Sequence, residues 1–150
     1  KLLEFADLSS LYDKFVRFKC EIHCKEKNNL NLDTEAGKQN LNYLHKICLK
    51  QSQILALDSL LNENQLKILL TETELKDLKK YKDEIEVNGD PFGISNLIVD
   101  GKPQFIHRTF AEYFVAIYIF DVFKKKDEKS LKIIKYFLTF RSLPICKRYV

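Results

Sequence analysis

Residues 94–123 constrain the fold of this chain more than any other stretch. An apolar run, Asn96-Leu97-Ile98-Val99, meets Asp100-Gly101-Lys102-Pro103 and returns through Gln104-Phe105-Ile106. Two short apolar runs around Asp-Gly read as a β-hairpin, because the tight hairpin turn needs residues that tolerate positive φ. The expected strands are 94–99 and 104–106, with Asp100-Gly101 at the tip. Thr109 followed by Glu112 then has the spacing of a capping box, in which each side chain satisfies a backbone N–H near the other. A helix is expected from Phe110 to Phe123, with Phe110, Tyr113, Phe114, Ile117 and Phe120 on one face. His107 falls between hairpin and helix, next to unpaired N–H groups that favour anions.

Helices account for the rest. Ser10-x-x-Asp13 resembles a capping box, and Leu11, Phe15, Phe18 and Ile22 follow at helical spacing. A helix over about 11–27 is expected, ended by Asn28-Asn29-Leu30-Asn31. Residues 1–6 read as the tail of an earlier helix. Thr34-Glu35 opens a second helix to about Ser59, with a stripe at Leu41, Leu44, Cys48 and Leu55 and a break at Gln51-Ser52-Gln53. Asn62 opens a short third helix through Leu66, Leu69 and Leu70. Thr71-x-x-Glu74 is a second capping box, opening a helix with Leu75 and Leu78 inside. Residues 84–87 read as a third short strand before the turn at Asn88-Gly89-Asp90-Pro91. A sixth helix is expected over about 128–140, closed by Pro144.

Composition agrees with a helical domain. A 45% apolar share is enough for a core, and 31% charged residues suit helices with solvated faces. The chain has no Met and begins at Lys1, which reads as an internal segment of a longer polypeptide. No apolar run is long enough for a transmembrane helix. Cys20, Cys24, Cys48 and Cys146 are scattered, and a core of this size needs no disulfides, so free thiols in a cytoplasmic setting are expected. The net charge is +4, yet residues 124–150 carry nine Lys/Arg against Asp127 and Glu128. The remainder is therefore slightly acidic.

Few residues carry a chemical pattern. The four glycines stand at Gly37, Gly89, Gly93 and Gly101 and form no phosphate-cradling Gly-x-x-x-x-Gly-Lys-Ser/Thr loop, so nucleotide hydrolysis by this segment alone is not expected. No nucleophile motif such as Gly-x-Ser-x-Gly is present. Cys20-x-x-His23-Cys24 puts three soft ligands on one helix face, but a fourth is not in evidence, and no metal site is assigned. His45 and Cys48 read as helix residues. The helix over 72–83 balances four acids with four lysines, and the hairpin tip has Lys102 beside Asp100, a poor face for reading DNA.

The segment Phe105-Ile106-His107-Arg108-Thr109-Phe110-Ala111-Glu112-Tyr113-Phe114-Val115-Ala116 resembles the end of the winged-helix domain of NACHT-type STAND NTPases, which include the NOD-like receptors. Leu11-Tyr12-Asp13-Lys14-Phe15-Val16 and the stretch from Val99 to Phe114 look like two landmarks of arthropod NACHT proteins that carry ankyrin repeats. The resemblance covers roughly residues 5–120. It implies a mainly α fold: a winged helix-turn-helix with a small β-hairpin wing and flanking helices. Residues 1–10 would end a preceding helical subdomain, 11–123 form the winged-helix domain, and 124–150 begin a following helical subdomain. No ankyrin signature is present in the chain itself.

The resemblance also implies a role. Such a domain packs on the NACHT nucleotide-binding domain of the same polypeptide, which holds the ADP or ATP. It contacts the ADP phosphate through the histidine matching His107, with Thr109 and Glu112 capping the helix behind it, and holds the inactive state. Homo-oligomerisation on activation and a part in innate immunity belong to the same expectation. Read from its residues alone, His107 is rather a capping or core-edge histidine packed against Phe105 than a ligand contact. The alternative for the whole chain is a stand-alone winged-helix module binding protein or nucleic acid.

Overall fold

The computed structural model describes residues 2–125, 130–133 and 135. Its elements are α1 (Leu2–Asn28), α2 (Glu35–Leu60), α3 (Glu63–Leu69), α4 (Glu72–Asn88), β1 (Ser95–Val99), β2 (Lys102–Phe105) and α5 (Arg108–Lys125). The fold is mainly helical, with one two-stranded antiparallel sheet. Residues 130–133 and 135 are helical; the rest of the expected sixth helix, Cys146 and most of the basic end lie outside the described residues.

Local signals fix most element ends. Asn62 accepts from the Gln65 N–H while Gln65 reaches back to the Asn62 N–H, closing a capping box on α3. Thr71 and Glu74 do the same on α4. Thr34 caps α2 through the Gly37 N–H. At the end of α1, Asn29 takes φ 49° and the Leu30 N–H reaches the Cys24 carbonyl, the left-handed close of a helix. The turn after α4 is organised by Asp90, whose carboxylate accepts from the N–H groups of Phe92, Ile94 and Ser95 at 3.1, 2.7 and 2.7 Å.

The hairpin tip is as expected. Val99 pairs with Lys102, leaving Asp100 (φ 50°) and Gly101 (φ 71°) as a two-residue turn. The first strand carries an irregularity between Ser95 and Leu97.

Four expectations are corrected. First, α1 is continuous from Leu2, so Ser10 lies within a helix and does not start one. Second, α2 runs unbroken through Gln51 and Ser52, both buried, because the surrounding Ile54–Leu57 run is enclosed on all sides and the helix cannot open there. Third, residues 84–87 belong to α4: Leu75, Leu78, Tyr81 and Ile85 continue one helical stripe against the core, and packing of that stripe overrides the strand propensity.

The fourth correction concerns which faces are buried. On α1 the core residues are Val16, Cys20 and Cys24, at fourfold spacing, whereas Leu11 and Phe18 are 62% and 56% exposed. On α5 the buried set is Phe110, Ala111, Tyr113, Phe114, Val115, Tyr118 and Val122, and Phe120 is exposed. Both helices are apolar on more than one face, so periodicity alone could not choose between them.

Helix α2 is the centre of the molecule, touching α1, α3, α4, α5 and β2. The Tyr118 hydroxyl donates to the Leu69 carbonyl at 2.9 Å, tying α5 to the end of α3. The hairpin lies against α2 and α4 and delivers the chain to the head of α5.

Candidate functional site at the head of helix α5

The short segment from β2 to α5 is held from both sides. The Ile106 N–H donates to the Ile94 carbonyl at 3.0 Å, extending the strand pairing by one bond. The Phe110 N–H donates to the His107 carbonyl at 3.0 Å, the first bond of the helix turn. His107 therefore stands immediately before α5, which begins at Arg108.

The His107 ring is tied down on one nitrogen. The Thr109 N–H approaches Nδ1 at 3.2 Å, and the Thr109 hydroxyl lies 2.8 Å from the same atom. The Tyr12 hydroxyl donates to the Thr109 Oγ1 at 2.6 Å. The Thr109 N–H can donate only to an unprotonated Nδ1, so that bond places the proton of the neutral ring on Nε2. His107 is exposed, and its hydrogen bonds described above all fall on Nδ1.

This geometry corrects the expected cap. Thr109 is not ahead of the helix but inside its first turn, and the imidazole Nδ1 occupies the place of the usual Ser or Thr oxygen. Glu112 is buried, 1% exposed, and pairs with Arg108 at 3.3 Å within the helix. The three site residues are nevertheless neighbours: His107 is the cap, Thr109 its hydrogen-bond partner, and Glu112 holds the adjacent guanidinium.

Tyr12 is the residue that spacing did not find. It comes from α1, 97 positions earlier. Its ring stands edge-on to Phe110 with centroids 4.8 Å apart and stacks on Tyr113 at 4.9 Å; Phe15 meets Phe110 at 5.0 Å. The two segments singled out by the resemblance, 11–16 and 99–114, thus meet in space. Sequence gave a cue to Tyr12 only as part of the first of those segments.

Lys102 is placed differently from its expected position beside Asp100. Its Nζ donates to the carbonyls of Asp58 and Leu61 at 2.7 and 2.8 Å and to Asp58 Oδ1 at 3.0 Å. Lys82 reaches the other carboxylate oxygen at 2.9 Å. Asp58 is 4% exposed, and two cations compensate its burial. Lys102 also closes the last turn of α2, where unpaired carbonyls favour a cation.

The cysteines and remaining histidines have structural surroundings. Cys20, Cys24 and Cys48 are buried free thiols. A hydrogen bond with Cys20 and then burial push the Cys48 thiol up, and burial pushes Cys24 up, so neither is a ready nucleophile. His23 turns away from them: its Nδ1 donates to the Pro91 carbonyl at 3.1 Å and its ring lies beside Phe92. Among the described residues, no group of three His, Cys, Asp or Glu is placed to hold a metal. His45 lies 3.6 Å from Asp13, but its Nε2 is buried without a hydrogen-bond partner, and burial lowers its pKa.

His107 sits on an open surface. Two concavities lie elsewhere, one along the C-terminal half of α4 and one between α1, α2 and α5 lined by Asp13, Lys46, Lys50, Tyr113 and Lys124. No helix among the described residues is long and apolar enough to cross a membrane. Comparison with protein-family models, curated proteins and solved structures gives no match to this chain.

Proposed function

We propose that this chain is the winged-helix region of a NACHT-type signal-transduction NTPase. In this reading α3 and α4 form the helix-turn-helix and β1–β2 the wing. The domain packs on the nucleotide-binding domain of the same polypeptide, in the cytoplasm, and catalyses nothing itself. His107 contacts the terminal phosphate of ADP and so favours the closed, inactive state. Exchange of ADP for ATP removes that contact and releases the domain, a two-state equilibrium biased by a ligand that touches one state better.

One observation carries the reading: the hydrogen-bond pattern at His107. Nδ1 is saturated by Thr109, so the donor on Nε2 faces outward from the head of α5, beside the helix's positive end and Arg108. That is a hydrogen-bond donor presented to an anion that another surface must supply. The exposed position, away from the concavities described above, fits a residue that completes a site built by a neighbouring domain. Recognition of DNA by α4 has less in its favour, since Lys82 is engaged with Asp58 and Lys80 pairs with Glu84 at 3.7 Å.

The test uses the polypeptide that includes the nucleotide-binding domain. His107→Ala removes a hydrogen bond to a charged group, worth about 1.5–3 kcal/mol, so ADP affinity should fall roughly ten- to a hundredfold. Titration of labelled ADP into both forms gives the answer. Equal affinity would reduce His107 to a helix cap and end the nucleotide reading at this residue.

A further inference from the structure

Helix α1 has two apolar stripes; the fold buries one fully and the other only in part, through Phe15 and Ile22. Val16, Cys20 and Cys24 face the core. The other stripe is Leu8, Leu11, Phe15, Phe18 and Ile22, spaced three and four residues apart in alternation. At 3.6 residues per turn the two stripes are centred roughly 150° apart. Leu8, Leu11 and Phe18 are 39%, 62% and 56% exposed. Phe15 and Ile22 are half-buried, Phe15 because its ring also reaches Phe110.

Alternation of three and four is the seam of a pair of helices. Its mean period of 3.5 keeps the apolar residues facing a second helix that lies along α1. Helix α1 is already folded against the core, so pairing does not have to supply the cost of forming it.

The charges beside the seam select the partner. Lys14 and Glu21 flank it on one side, and Lys19 on the other. We propose that the seam is occupied by α1 of a second copy of this chain, antiparallel and related by a two-fold axis. Leu11 then packs opposite Ile22 of the partner subunit, and Phe15 opposite Phe18 of the partner subunit. In that register Lys14 meets Glu21 of the partner subunit, and the symmetry repeats the pair. Arg17, 3.8 Å from Glu21 within the same helix, lies on the side away from the seam and leaves it open. Leu8 falls at the end, over the aliphatic stem of Lys25 of the partner subunit. A parallel pair would set Lys14 against Lys19, and a shorter antiparallel overlap, with Leu11 opposite Phe15, would set Lys14 against its own copy.

The seam is short. It buries less than the roughly 1,600 Å² of a standard interface, so the pair is weak and reversible, with a Kd on the order of 10–100 μM. It needs no nucleotide and is independent of the role given to His107.

Sedimentation equilibrium of the full chain under reducing conditions tests this. The apparent mass should rise from 17.7 kDa toward twice that value as concentration passes through the micromolar range. Phe18→Glu and Leu11→Glu, both at exposed positions, should each hold the chain at monomer mass with unchanged helical circular dichroism. Lys14→Glu should weaken the pair by about tenfold, and Lys14→Glu with Glu21→Lys should restore it. A single monomeric species up to about 1 mM, well above the expected Kd, overturns the proposal. So does a dimer that survives both Phe18→Glu and Leu11→Glu. Tighter association of Lys14→Glu would indicate the parallel arrangement and overturn the antiparallel register.

Discussion

The hairpin is fastened at two places, and the two fastenings are built differently. At its tip side, Lys102 inserts between Asp58 and the last carbonyls of α2, with Lys82 on the far oxygen. At its exit, His107 is held through Thr109 by Tyr12 of α1. The first is a buried carboxylate with its partners in place. The second is a chain of side-chain hydrogen bonds at the surface that ends in an exposed imidazole. The first anchors; the second anchors and still has a donor to offer. A charge buried without partners is costly, so the Asp58 cluster must be saturated, whereas an exposed imidazole can wait for a ligand.

The sharpest way to break this comparison is Asp58→Ala. It leaves two ammonium groups without their carboxylate, though Lys82 and Lys102 are partly exposed and can turn toward water. The expected loss is about 2–4 kcal/mol in urea unfolding, below the full cost of orphaning a buried charge. A loss under about 0.5 kcal/mol would mean that the cluster does not anchor the hairpin.

Next to the first fastening, just ahead of Lys102, lies the turn. Gly101→Val forces a β-branched residue to φ 71° and should lower stability by about 1 kcal/mol or more, with the hairpin amides losing exchange protection first. An unchanged melting temperature would argue that the turn is free to rearrange.

At the exit, Tyr12→Phe keeps the rings against Phe110 and Tyr113 and removes only the hydroxyl. A loss of about 1 kcal/mol is expected. Imidazole nitrogen NMR sharpens the point: wild type should show the proton of neutral His107 on Nε2. A proton on Nδ1 would contradict the hydrogen bond from the Thr109 N–H.

The smallest effect expected is a pH dependence at neither fastening. Burial lowers the pKa of His45 below the ordinary value of 6.5. The folded state thus prefers the neutral ring, and the unfolded chain binds more protons just below that pH. Stability contributed by neutral His45 is present above pH 6.5 and declines as pH falls toward the depressed value. His45→Gln should flatten that part of the curve. A slope unchanged by the substitution would assign it to another group.

The chain wrote its local structure plainly. The helix start at Asn62, the box at Thr71–Glu74, the Asp100-Gly101 turn and the turn at 88–91 each rest on groups within a few positions of one another, so spacing and residue type were enough to find them; the reciprocal Gln65 bond and the Asp90 carboxylate bonds were added by the structure. The head of α5 was legible in part. His107 was placed between strand and helix; the spacing assigned the cap to Thr109 with Glu112, the usual hydroxyl-and-carboxylate pattern, whereas the plainer reading of His107 as a capping histidine is the one the Thr109 N–H bears out, with something else orienting the hydroxyl. That something is Tyr12, and nothing local to residue 109 announces a phenol from 97 positions away. The same holds for Lys102, read beside Asp100 by proximity in sequence and found on Asp58. Which stripe of α1 turns inward was decided the same way. Leu11 and Phe18 are more apolar than the cysteines that displaced them, but burial depends on the surface that α2 and α5 present. Short-range hydrogen bonds are fixed by the order of residues; the choice among apolar faces and the partners of long polar side chains are settled only when helices distant in sequence close on one core.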